Sequence, residues 1–91
     1  MISGKLYKLA DPNEVSYLVS SSIFTDILGV PKRLFYNDVF MFLDSKTDKG
    51  ITHYEEIEFF EIRVILNGSQ QYMRCYANKK NEFLKSFVEA I

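Results

Sequence analysis

The chain contains one histidine, His53, and one cysteine, Cys75, which are the two side chains that a cysteine–histidine nucleophilic pair requires. Such a pair also needs an activating environment and a third group that orients the base, and the sequence shows neither. Cys75 alternates with Met73 and Ala77 along one apolar run, which places it on the buried face of a strand. The pattern favours a structural cysteine, and we expect no enzymatic activity.

Four acidic residues lie close together before and within one apolar run. Neighbouring carboxylates can perform acid–base chemistry or hold a divalent metal, but four acids beside a turn are more often a solvated surface. Their functional interpretation is an acidic docking surface for a basic partner. The residues are Glu55, Glu56, Glu58 and Glu61.

Residues 44–55 have the length of a calcium-binding loop, with acidic side chains at the first, fifth and last positions. Calcium needs oxygen ligands at alternating positions and a sharp glycine turn at the sixth. Lys46 occupies the third position as a cation, Lys49 replaces the glycine, and Gly50 comes one residue late. We therefore predict no metal ion here and no other cofactor.

One face of the last strand-like run carries Tyr72, Arg74 and Tyr76, and Arg63 lies on the run before it. Tyrosine and arginine are enriched among the residues that dominate protein–protein binding energy. The same residue types stack on bases in sheets that bind single-stranded nucleic acid, and they also occur on ordinary exposed strand faces. These four residues form the predicted protein-binding surface, together with Glu55, Glu56 and Glu58.

Charge and composition restrict the remaining functions. Eleven basic and twelve acidic residues are interspersed and give a net charge of −1, which makes nucleic acid an unfavourable partner. No apolar run approaches the roughly 20 residues of a membrane span, and no signal-peptide pattern opens the chain. A single cysteine cannot form an internal disulfide. The expectation is one cytoplasmic domain over residues 1–91, and the scarcity of alanine is typical of an AT-rich genome, bacterial or phage.

Hairpin signals dominate the pattern of secondary structure. Asn67-Gly68 separates two strand-like runs, Phe59–Leu66 and Gln71–Ala77, because both turn residues tolerate positive φ. After Ala77 the apolar residues recur with a helical period, which predicts a C-terminal helix over 78–91. We expect this helix to pack on the sheet.

The first half of the chain indicates two further hairpins. Lys5–Ala10 and Val15–Ser21 flank a turn at 11–14, and in the second run Val15, Tyr17 and Val19 face opposite to Ser16 and Ser20. The second predicted hairpin joins 34–36 to 39–43 through Asn37-Asp38. Between the two hairpins, residues 22–28 fit a short helix or a buried strand. Residues 44–50 are polar and predict a solvated loop.

The order of these elements resembles that of bacterial pleckstrin-homology-like domains over about residues 30–91. Three segments carry the resemblance: Arg33-Leu34-Phe35-Tyr36, Ile51-Thr52-His53-Tyr54-Glu55-Glu56-Ile57 and Glu82-Phe83-Leu84. It implies an antiparallel sheet or small bent barrel closed by a C-terminal helix, an α+β fold used mainly for protein contacts. Lipid binding does not follow, because the first loop is acidic where the lipid-binding members of that family carry basic residues.

Together these patterns predict a non-enzymatic protein-interaction module, such as a small bacterial or phage adaptor or inhibitor. Two alternatives stay open. One is a single-stranded nucleic-acid-binding sheet, and the other is a protein that associates with itself, for example as a homodimer, through an open sheet edge.

Overall fold

A computed structural model describes residues 1–25, 29–49 and 57–90. These residues form seven strands and two short helices. The strands are β1 (Leu6–Leu9), β2 (Ser16–Leu18), β3 (Lys32–Leu34), β4 (Phe40–Lys49), β5 (Glu58–Leu66), β6 (Ser69–Tyr76) and β7 (Phe87–Glu89), and the helices are a 3₁₀ turn (Ala77–Lys79) and α1 (Lys80–Leu84). The protein is a small α+β domain.

The predicted Asn67-Gly68 hairpin is confirmed. β5 and β6 pair antiparallel from Leu66 opposite Ser69 to Phe59 opposite Tyr76. Asn67 and Gly68 have φ angles of 51° and 78°, the left-handed values that a two-residue hairpin turn requires. Sequence-local chemistry therefore fixes the register of the longest hairpin in the described structure.

The described strands form two sheets. The larger has the order β6-β5-β4-β1-β7, and the smaller contains β2 and β3. All neighbouring strands in these two sheets pair antiparallel. Together they confirm the predicted antiparallel sheet, but the described strands do not close into a barrel.

Both hairpins predicted in the first half of the chain are wrong. β1 pairs with β4 and β7, whereas β2 pairs only with β3 within the sheets. The turn after β3 does form, because the Asp38 N–H donates to the Phe35 carbonyl at 2.9 Å. It carries the chain from the small sheet into the large one instead of reversing it within one sheet. Turn chemistry reverses a chain locally but does not decide which strands then pair.

The polar stretch predicted as a loop over 44–50 is strand through Lys49. β4 pairs with β5 from Asp44 opposite Arg63 to Lys49 opposite Glu58, after a bulge between Phe42 and Asp44. The side chains of residues 44–49 are exposed, so hydrophobicity gives no sign of this strand. Backbone pairing with the apolar β5 holds it in the sheet. Gly50 lies outside the described residues.

The predicted C-terminal helix over 78–91 is also wrong in length. α1 ends at Leu84, and the chain continues into β7, where Phe87 lies opposite Leu9 of β1. A short helix is costly to nucleate, whereas β1 offers an edge whose groups need partners. The Ala90 N–H accordingly donates to the Leu6 carbonyl at 2.9 Å. No helix of the described residues is long and apolar enough to span a membrane.

The core lies on one face of the large sheet, beneath the small sheet. Phe40, Leu34, Ile62 and Met73 are completely buried in it. Phe87 closes it with edge-to-face contacts to Phe40 and Phe83, at centroid distances of 5.4 and 5.2 Å. The opposite face of β4, β5 and β6 carries both charged and aromatic side chains, among them Arg63, Arg74 and Tyr76, and we call it the outer face.

Residues 22–25, the described part of the segment considered as a helix over 22–28, form a turn. The Thr25 N–H donates to the Ser22 carbonyl at 3.1 Å, and residues 26–28 lie outside the described ranges. This turn lies against the outer face, where its contacts matter for the candidate site.

Candidate functional site

The outer face brings together the four residues predicted from the last hairpin. Tyr72 lies opposite Arg63, Arg74 lies opposite Glu61, and Tyr76 lies opposite Phe59. Side chains alternate across a strand, so all of these project from the same face of the sheet. Glu58 is exposed at the start of β5, while Glu55 and Glu56 lie outside the described residues.

Arg63 is engaged within the chain. Its Nε and Nη2 donate to the two carboxylate oxygens of Asp44 at 3.1 and 2.6 Å. These hydrogen bonds, together with the negative charge of Asp44, raise the pKa of Arg63. A partner that bound this guanidinium would first have to displace a bidentate neighbour.

Glu61 is not part of a solvated acidic surface, contrary to expectation. It is only 4% exposed, because the turn after Val19 covers it. The Ser22 hydroxyl and the Ile23 N–H donate to its two carboxylate oxygens at 2.5 and 2.8 Å. The carboxylate therefore holds the turn against the outer face.

Tyr72 joins the edge of the large sheet to the end of β2. Its backbone N–H and C=O both bond Val19 at 2.8 Å, and its hydroxyl accepts from Gln70 Nε2 at 2.8 Å. This bridge is isolated, because β2 turns away from β6 to pair with β3. The two strands consequently diverge from Val19 and Tyr72 onward.

An apolar groove opens where they diverge. It has a volume of about 360 Å³ and is lined by Val15, Ser16, Tyr17, Val19, Pro31, Arg74 and Phe83. Val15 and Tyr17 are 54% and 53% exposed, high values for large apolar side chains on or beside a strand. We call this feature the β2–β6 groove.

Arg74 is the predicted site residue that lines the β2–β6 groove. Its Nη2 donates to the Ser21 carbonyl at 3.2 Å, which leaves the other guanidinium donors for a ligand. Within the described ranges no carboxylate forms a salt bridge with Arg74 or with Arg33, which lies opposite Tyr17 on β3. Only Arg74 of these two lines the groove, and the buried Glu61 lies opposite it on β5 without forming a salt bridge.

Tyr76 lies beyond the groove and is 56% exposed. Its ring stacks on Phe59, with centroids 5.4 Å apart and an interplanar angle of 29°. Stacked aromatic side chains at a strand end present a flat apolar surface. Of the four predicted residues, Arg74 and Tyr76 are the two with accessible binding groups.

The alternation of Val15, Tyr17 and Val19 with Ser16 and Ser20 did not predict the groove. Ser16 is buried and its hydroxyl lies 3.5 Å from Met73 Sδ beneath the small sheet, whereas Val15 and Tyr17 are exposed. Val19 and Ser20 behave in the opposite way, since Val19 is buried at its bridge to Tyr72 and Ser20 is exposed. An alternating run shows that two faces differ, but the packing of distant strands decides which residues are covered.

The described residues offer little for metal or nucleophilic chemistry. No group of three or more His, Cys, Asp or Glu side chains that could hold a metal occurs among them. Burial raises the pKa of the Cys75 thiol, which favours the unreactive protonated form. His53 lies outside the described residues, and Asp44 and Asp48 of the calcium-loop pattern belong to β4.

Comparisons of the chain with protein-family models, curated proteins and solved structures find no match. The resemblance to pleckstrin-homology-like domains thus stays a prediction, and the functional argument depends on the site itself.

Proposed function

We propose that this chain is a non-enzymatic protein-binding module whose binding site is the β2–β6 groove. The partner contributes an apolar segment that carries a carboxylate. The single observation that supports the proposal is an apolar groove of about 360 Å³ with two half-exposed large side chains and arginine at its rim.

The apolar lining supplies the affinity. Val15 and Tyr17 together leave a large apolar area in water, and burying apolar area contributes about 25 cal/mol per Å². Tyrosine is also among the residues that most often dominate binding, because it buries a large ring at little conformational cost. An apolar side chain of a partner, seated between Val15 and Phe83, would bury both surfaces.

The charged rim supplies the selectivity. Arg74, which lines the groove, forms no salt bridge among the described residues, in contrast to Arg63, which Asp44 already binds. A carboxylate on the partner would form charge-assisted hydrogen bonds with Arg74, whereas a basic partner would be repelled. The positive charge of Arg74 therefore favours an acidic segment and disfavours a basic one.

Capture experiments with matched variants test the proposal. Val15→Asp places a carboxylate in the groove, and Val39→Asp makes the same change at an exposed position that does not line it. Tagged wild-type protein and both variants are incubated with extract of the source cells and washed with high salt. We expect wild type and Val39→Asp to retain the same protein and Val15→Asp to lose it.

Direct titration of the purified partner completes the test. Val15→Asp should weaken its binding at least about tenfold, because a charge would be buried against apolar surface without a partner. Circular dichroism must show that both variants are folded. Equal retention by Val15→Asp, or no protein retained above the tag alone, would refute the groove as a protein-binding site.

A further inference from the structure

We infer that the β2–β6 groove binds an extended acidic segment of another protein by adding it as a strand to the free edge of β6 at Arg74. The inference rests on the proposed function and specifies its binding mode. The backbone of β6 and β2 supports it.

Among the described residues, β6 is an edge strand whose outer side has one backbone pair. The large sheet has the order β6-β5-β4-β1-β7, and the outer backbone pair of β6 is the bridge between Tyr72 and Val19. The Tyr72 N–H and C=O point outward to make it. Edge strands with unpaired groups are templates for another strand.

The backbone N–H and C=O groups of every second residue along β6 point outward, away from β5. In an antiparallel ladder, residues alternate between those bonded to the neighbouring strand and those whose N–H and C=O point away from it. Since Tyr72 points away from β5, Arg74 does as well. No backbone partner for the Arg74 N–H or C=O is found in the described part of the chain.

The opposite wall shows the same alternation. The Val19 N–H and C=O point toward β6, so those of Tyr17, two residues earlier, point into the groove, while Leu18 pairs with Lys32 on the other side of β2. If β2 had continued beside β6, Tyr17 would lie opposite Arg74. The strands separate instead, and both sets of backbone groups face the space between them.

Side chains define which strand the groove accepts. Val15, Pro31 and Phe83 line it with apolar surface, so the added strand needs an apolar residue that points into the groove. Among the described residues, the Arg74 guanidinium has one hydrogen bond, to a neutral carbonyl, and it can also bind a carboxylate. An extended segment with alternating apolar and acidic residues satisfies both, as in other strand-addition complexes.

Peptides test this binding mode. Random twelve-residue peptides displayed on phage are selected against the folded protein, and the enriched peptides are synthesised with a fluorescent label. Fluorescence anisotropy then gives their dissociation constants. We expect enriched peptides that alternate apolar residues with Asp or Glu and whose binding is lost in Val15→Asp but kept in Val39→Asp.

Backbone methylation distinguishes strand addition from side-chain binding alone. N-methylation at every second residue of the selected peptide should reduce affinity about tenfold or more in one register, because it removes donors to the β6 edge, and little in the other. Arg74→Ala, which keeps the backbone N–H, should weaken the acidic peptide and leave its Asp→Asn or Glu→Gln analogue nearly unchanged. Arg63→Ala should affect neither peptide.

Each other result counts against strand addition. Peptides that require Val15 but tolerate N-methylation in both registers would overturn it and leave protein binding at the groove intact. Peptides that tolerate both changes would overturn both proposals. If no peptide is enriched, a segment of another protein is not the occupant of the groove. A concentration-dependent dimer in sedimentation that Val15→Asp dissociates would also exclude such a segment, and it would assign the groove to a second copy of the chain.

Discussion

Replacing Glu61 with alanine is the most informative perturbation of the outer face, because this buried carboxylate holds the turn that covers it. The change removes the acceptor of two hydrogen bonds, one from the Ser22 hydroxyl and one from the Ile23 N–H. Glu61 is 4% exposed, so water does not readily replace the lost carboxylate. We expect a substantial loss of stability from one residue.

The magnitude follows from the environment of each bond. A hydrogen bond to a charged group contributes about 1.5–3 kcal/mol, and the buried Ile23 N–H would lose most of it. The Ser22 hydroxyl is only partly buried and can rotate to water, so its loss is smaller. Removing the carboxylate also removes the cost of burying a charge. The free energy of unfolding should therefore fall by about 2–3 kcal/mol.

Urea denaturation followed by tyrosine fluorescence and circular dichroism measures this loss. With a slope of about 1 kcal/mol per molar urea for a domain of this size, the midpoint should fall by about 2–3 M with the slope unchanged. Glu61→Gln keeps one acceptor oxygen and should lose about half as much. Ser22→Ala should cost less than Glu61→Ala and should be non-additive with it, since both remove one shared bond.

Two control variants decide whether the burial of the Glu61 carboxylate causes the expected loss of stability. Glu58→Ala removes an exposed carboxylate from the same strand and should change stability by no more than about 0.5 kcal/mol. Arg63→Ala removes an exposed ion pair from the same face and should cost at most about 1 kcal/mol. If Glu61→Ala shifted the midpoint no further than Glu58→Ala, the role assigned to the Glu61 carboxylate would be wrong.

Two further predictions concern the core. Phe87→Ala should lower the free energy of unfolding by about 3–5 kcal/mol in urea denaturation, because the ring is buried against Phe40 and Phe83. Phe35→Ala, at an exposed position, is its control. Equal effects of the two changes would contradict the packing of β7 on the core. Cys75 should react with Ellman's reagent only at higher pH in the folded protein than in urea, because burial raises the pKa of its thiol above the ordinary value. Since the folded state holds this proton more tightly, the associated stability is present below the unfolded-state pKa and is lost as the pH rises through the folded-state pKa. Identical pH profiles of reaction in the folded and unfolded states would refute this prediction.

Local chemistry predicted the last hairpin, and non-local pairing determined the rest of the sheet. Asn67 and Gly68 supply the left-handed φ angles within the turn itself, so no distant residue is needed. β1, in contrast, pairs with β7 through Leu9 and Phe87, at opposite ends of the chain. Its alternation predicted a strand, but alternation carries no information about the partner.

The C-terminal segment shows how a competing partner overrides a periodic pattern. The spacing of Phe83, Leu84 and Phe87 fits a helix, and the chain does form one until Leu84. Phe87 is buried either way, so burial does not distinguish the two conformations. The free edge of β1 favours the strand, because it satisfies backbone groups on both segments.

The sequence predicts the residues that the last hairpin contributes to the candidate site, but not its apolar lining. The apolar lining depends on the packing of strands that are distant in the sequence. Arg74 and Tyr76 follow from strand alternation in a hairpin whose register is local. The apolar lining requires knowing that β2 lies beside β6 at Val19 and then leaves it. That separation exposes Val15 and Tyr17 and leaves the Arg74 backbone without a partner in the described chain, so one event creates the apolar surface and the free edge together. Pairing these strands further would satisfy more backbone groups, and the proposed binding of an acidic segment would account for their separation.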